Sequence, residues 1–87
     1  MNIALDFDGT YTADPELWDK FILLCQNSGH KVTIVTMRYP EEGINNLPYD
    51  VIYTNRKAKI KYCLKKGITF DIWIDNNPLI SKWLNYE

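Results

Sequence analysis

The chain has 87 residues, is 46% hydrophobic and 14% aromatic, and carries a formal net charge of −1. These values describe one folded domain, 1–87, with too little length for a separate lid or substrate domain, and they exclude a disordered chain. No run reaches the roughly 18 apolar residues of a membrane span, and Met1 leads straight into strand-like sequence, so no membrane association, no signal peptide and a cytoplasmic location are expected.

In chain order, residues 3–7 read as a buried strand. A helix follows, with Asp14 as N-cap, Pro15 at the first helical position and Glu16 in the first turn. Leu17, Trp18, Phe21, Ile22, Leu24 and Cys25 keep helical spacing, and Gly29 ends the helix in the left-handed conformation. His30 is a loop residue after that glycine. Residues 31–36, "KVTIVT", are rich in β-branched side chains and read as a second strand. The stretch 37–50 is loop-like, with one short helical turn. Residues 51–54 form a short third strand. A helix from about 56 to 66 stops at Gly67. Residues 70–75, "FDIWID", give a fourth strand, and a last helix begins near Pro78. Cys25 and Cys63 each fall in a helix-like stretch and read as buried thiols rather than a disulfide. One histidine and no Cys/His spacing leave no zinc site.

Strand and helix alternate throughout, which predicts an α/β fold with a parallel sheet of about four strands and helices on its faces. In such folds the carboxyl ends of the strands share one edge, and ligands bind there. Asp6, Asp8, Thr36, Thr54 and Asp75 all lie at or just past a strand end. Three unpaired carboxylates at one edge repel one another, and a hard divalent cation relieves that repulsion. Mg²⁺ takes carboxylate oxygens together with waters and substrate phosphate. As plain turn residues, Asp6 and Asp8 would instead make local backbone bonds.

The charge is unevenly spread. Residues 1–50 carry three basic and eight acidic side chains, and residues 51–87 carry seven and three. The basic excess lies mostly in "NRKAKIKYCLKK", 55–66. It is either a solvated helix face or a surface that steers an anionic substrate. Lys57 and Lys59 fall in the first turns of the expected helix, near a helix terminus that attracts phosphate. They stand about 200° apart around its axis, so one of the two points inward. Thr36 offers a hydroxyl to a phosphate oxygen, and Arg38 offers a two-pronged contact.

"DFDGTYT", 6–12, resembles the first motif of the haloacid dehalogenase (HAD) superfamily in its phosphatase form, Asp-x-Asp-Gly-Thr. Thr36 at the end of strand two is similar to the second motif, Lys59 or Lys57 to the third, and Asp75 in "DIWIDN" to the fourth. The four appear in the family's order across residues 6 to 75. The chain resembles the minimal capless, phage-type or bacterial members. The resemblance implies a three-layer α/β/α Rossmann-like sheet and an Mg²⁺-dependent phosphatase. Asp6 is then the nucleophile that forms an aspartyl-phosphate, and Asp8 the proton donor and acceptor. Mg²⁺ is held by Asp6, the backbone carbonyl of Asp8, and Asp75. Thr36 and the lysine hold the phosphoryl oxygens.

Two departures from the family pattern stand out. Asn76 and Asn77 follow Asp75 where the fourth motif usually carries a second acid. With "YTA", 11–13, and a short 37–50 loop there is no cap, which in the family goes with a bulky or extended substrate or with a cover borrowed from a partner subunit, as in a homo-oligomer. The expected partner is a phosphorylated substrate: a nucleotide or nucleic-acid end, a phosphoprotein or a sugar phosphate. The alternative function is a catalytically weak phosphate- or nucleotide-binding module with the same fold, which Asn76 favours. A receiver domain is a third reading, but receivers carry their acceptor Asp on a later strand, and "DFDGT" does not fit that layout. Asp71, at the start of strand four, is left out of the site, and Trp73 is assigned to the core. Trp83 and Tyr86 on the last helix pack on the sheet or meet another chain.

Overall fold

The computed structural model describes residues 1–44 and 47–77. Within them run strands β1 (Asn2–Asp6), β2 (Lys31–Thr36), β3 (Val51–Tyr53) and β4 (Ile72–Ile74), with helices α1 (Pro15–Asn27) and α2 (Lys59–Lys65). Two single 3-10 turns, Tyr11–Ala13 and Pro40–Glu42, complete the regular structure. The second is the helical turn expected in the 37–50 loop. The expected last helix from Pro78, with Trp83 and Tyr86, lies outside the described residues.

The four strands form one parallel sheet in the order β3-β2-β1-β4. The chain moves from β1 to its neighbour β2 and on to β3, and then returns through α2 to the far side of β1. Strand order therefore departs from chain order between β1 and β4. Register decides what meets at the carboxyl edge. Asp6 pairs with Val35, so Thr36 lies one residue beyond it on the neighbouring strand. Leu5 pairs with Ile74, which sets Asp75 beside Asp6.

Alternation along β1 splits the core into two clusters. Ile3 and Leu5 join Val32 and Ile34, with Ile22 of α1 and Tyr11 packed among them. Ala4 and Val35 lie with Cys63 of α2, and Ile52, Phe70 and Trp73 pack against them. Asp6 shares the parity of Ala4, and Lys59 stands one helical turn before Cys63. The helix that fills the core at Cys63 thus delivers Lys59 to the end of β1.

The end signals of α1 act as the sequence suggests. The Asp14 carboxylate accepts from the Leu17 N–H at 3.2 Å, Pro15 opens the helix, and Gly29 follows it at φ +85°. The helix expected from 56 instead begins at Lys59. Asn55 and Arg56 both take the left-handed conformation, with φ of 55° and 64°, which ends β3 in a tight turn and delays the helix. No described helix is long and apolar enough to cross a membrane. Cys63 is buried, Cys25 is half-buried, and both are free thiols. His30 Nδ1 lies 2.6 Å from the N-terminal amine.

Candidate functional site

A cavity of about 380 Å³ opens at the carboxyl edge of the sheet. Its lining includes Asp6, Asp8, Thr36, Lys59, Asp75 and Asn76. Five of the seven side chains assigned from sequence therefore share one cavity. At its floor the Lys59 ammonium donates to Asp6 Oδ1 at 2.5 Å and to Asp75 Oδ2 at 2.7 Å. All three side chains are more than nine-tenths buried. The expectation that Lys57 and Lys59 share the first turns of one helix fails, because Lys57 precedes α2; it is exposed and lies outside this cavity, whereas Lys59 lines it.

Further bonds fix each carboxylate. The Thr10 hydroxyl donates to Asp6 Oδ2 at 3.0 Å, and the Asn77 N–H donates to Asp75 Oδ1 at 2.8 Å. Burial pushes the Asp6 carboxyl above its ordinary value, although the hydrogen bond and charge of Lys59 pull the other way. Two buried carboxylates share the Lys59 ammonium in a place that water reaches poorly.

Asp8 is arranged differently. Its carboxylate is held by the Arg38 guanidinium through Nε at 3.0 Å and Nη2 at 2.7 Å, and Arg38 Nη1 also donates to the carbonyl of Glu42 at 3.1 Å. The fork holds the Asp8 carboxyl below the usual carboxylate range, chiefly through the hydrogen bond itself. The fork expected to meet phosphate is therefore paired with a carboxylate of the same shape. Thr36 is buried, and its Oγ1 accepts from the Arg38 N–H at 3.3 Å.

Gly9 is favoured by its φ of +82°. A methyl group there would run into the Asn76 side-chain amide, so the turn after β1 lies directly against the loop after β4. Thr54, fully buried, ties the β3 end to the β2 end: its N–H donates to the Thr36 carbonyl at 2.8 Å, and its hydroxyl to the Lys57 carbonyl at 2.7 Å. Asp71 lies at the opposite edge, as expected, where its carboxylate accepts from the Asn2 N–H at 2.7 Å.

Three contributors escape sequence reasoning. Thr10 belongs to the quoted motif, but its bond to Asp6 carries no sequence signal beyond its position. Glu42 and Arg56 come from separate loops. Arg56 lines the cavity, pairs with Glu42 at 2.5 Å, and lies over the Tyr39 ring. Among the described residues, no group of three His, Cys, Asp or Glu side chains is placed to hold a metal ion. No family model, curated protein or solved structure matches the chain.

Proposed function

We propose that the protein is a phosphohydrolase that transfers a phosphoryl group from a monoester first to Asp6 and then to water. The observation that carries this reading is the buried Asp6–Lys59–Asp75 group at a strand end, with Asp8 and Thr36 in the same cavity. The chain then has a three-layer, Rossmann-like, HAD-like arrangement without a cap. That arrangement is supported by the packing of α1 with Ile3 and Leu5 and of α2 with Ala4 and Val35.

A carboxylate oxygen of Asp6 attacks phosphorus as the bond from phosphorus to the leaving oxygen breaks. Phosphate draws Arg38 off Asp8, which removes the bond that keeps this carboxyl ionised; once it has taken up a proton, Asp8 gives it to that oxygen, so an alcohol leaves. Water then attacks the phosphorus of the aspartyl-phosphate and yields a proton to Asp8. The bond from phosphorus to Asp6 breaks, and inorganic phosphate departs. Lys59 lies beside Asp6 and neutralises charge that builds on the phosphoryl oxygens. Thr36 presents its hydroxyl to the same oxygens. Arg38 exchanges its Asp8 partner for phosphate, which accepts the same two-pronged geometry.

Carboxylate and carbonyl oxygens are the donors that Mg²⁺ prefers, and the ion would take them here in exchange for the Lys59 contacts. Asp6, Asp75 and the backbone carbonyl of Asp8 are the groups to hold it. When bound, the ion shields the repulsion between carboxylate and phosphate.

A phosphate-binding module with little turnover is the second reading, favoured by Asn76 in place of an acid. Phosphate release from an aryl phosphate, with and without Mg²⁺, separates the two. Wild type releases phosphate in Mg²⁺, and Asp6→Asn releases none while its circular dichroism is unchanged. Equal turnover by wild type and Asp6→Asn rules out the covalent route. Phosphate binding without turnover in wild type selects the module.

A further inference from the structure

A second cavity, about 560 Å³, adjoins the first. Among the described residues, Asn55, Arg56, Lys57, Ala58, Lys61, Tyr62, Lys65 and Lys66 line it, so five of these eight are cations and none is an acid. Arg56 lines both cavities. It does so from a left-handed backbone that side chains other than glycine adopt at a cost, directly after a second such residue, Asn55. The Arg56 N–H donates to the Met37 carbonyl at 2.7 Å, which pins this turn to the loop that carries Arg38.

Outside this concavity Lys20, Lys31, Arg38 and Lys59 each pair with a carboxylate, and within it Arg56 pairs with Glu42. Lys57, Lys65 and Lys66 form no ion pair among the described residues. Among the described residues, the lysines without an ion pair are thus gathered in one concavity beside the Asp6 cavity.

We propose that this concavity is the binding groove for a single nucleic-acid strand, whose terminal phosphate reaches the Asp6 cavity past Arg56. The placement of the terminal phosphate rests on the phosphohydrolase reading; the groove itself does not. Three lysines that form no ion pair among the described residues, Lys57, Lys65 and Lys66, suit a ligand with repeated negative charge rather than a single phosphate. Lys61 and Lys65 stand one turn apart on α2, about 6 Å along its axis, a step like that between neighbouring phosphates of one strand. Tyr62 supplies a ring in the lining against which a base stacks, with Lys66 Nζ 5.5 Å from its centroid. The cations line a concavity rather than a flat face, which suits a strand better than a bilayer.

The test is fluorescence anisotropy of a short 5′-phosphorylated oligothymidylate against the full chain, at several salt concentrations, beside Lys65→Ala/Lys66→Ala. For wild type, log K falls linearly with log salt. The double variant binds about tenfold more weakly at low salt, and its slope is shallower by about 0.7 for each lysine removed. Its turnover of an aryl phosphate equals that of wild type. Salt-independent binding, or equal affinity and slope in the variant, overturns the groove even when aryl phosphate is hydrolysed. A singly phosphorylated peptide, or vesicles of anionic lipid, bound as tightly as the oligonucleotide also overturns it. Weakened, salt-dependent binding in the variant, with no phosphate released from any substrate by wild type, keeps the groove and removes the phosphohydrolase reading.

Discussion

Lys59 is 3% exposed, and its ammonium lies between two carboxylates whose own side chains are nearly as buried. Its partners cannot readily exchange it for water, so it acts on both stability and site. Lys59→Met leaves Asp6 and Asp75 side by side without their cation. A cost of about 3–5 kcal/mol at neutral pH is expected, as for removal of one partner from a buried ion pair. Lys57→Ala, two residues earlier, removes an exposed side chain and costs less than about 0.5 kcal/mol. Urea denaturation of both variants checks this; equal midpoints would place the functional lysine wrongly. The difference between these lysines is set by where α2 begins. Helical spacing does not relate them, because the left-handed turn at Asn55 and Arg56 leaves Lys57 ahead of α2 and puts Lys59 at its start. Asparagine tolerates that conformation and gives a faint signal; arginine gives none.

At the scale of elements, the ends of α1 and the extent of β2 were legible because their signals are local. Asp14, Pro15 and Gly29 mark the helix, and β-branched residues fill the strand. The convergence of Asp6, Thr36 and Asp75 was legible too, because a parallel sheet puts its strand ends on one edge. The pairing of Arg38 with Asp8 was not, since it joins loops 30 residues apart. Nor was the tie that holds the turn after β1 to α1. There Tyr11 and Tyr49 both donate to Asp19 Oδ1, at 2.8 and 2.5 Å, and the two rings meet edge to face at 6.3 Å. Burial, and then the bond to Asp19, raise the Tyr11 hydroxyl from 10.0 to about 12, and Tyr49 shifts the same way. The folded state holds these protons more tightly than the unfolded chain. The Tyr11 contribution is therefore complete below pH 10 and is lost as pH rises through about 12, and that of Tyr49 is lost higher still. Wild type should lose on the order of 1–3 kcal/mol more than Tyr11→Phe/Tyr49→Phe across that window. Denaturation midpoints measured from neutral to alkaline pH read this difference; parallel curves would mean that the tyrosine pair is not a proton-linked tie.

Across the whole molecule, the sheet order β3-β2-β1-β4 puts β1 between β2 and β4, with the nucleophile candidate at its carboxyl end. Acid-rich and base-rich halves of the sequence meet at that end: Asp6 and Asp8 come from the first, and Lys59 and the basic concavity from the second. The claim on which the proposed chemistry depends is that Asp6 itself accepts the phosphoryl group. An acid quench during turnover of an aryl phosphate in Mg²⁺, followed by mass spectrometry of the peptides, measures this. The peptide that contains Asp6 should carry one added phosphoryl group during turnover and none after the substrate is exhausted, and Asp6→Asn should never carry it. Release of phosphate with no phosphoryl group on that peptide, or with the group on another residue, would contradict the assignment of Asp6.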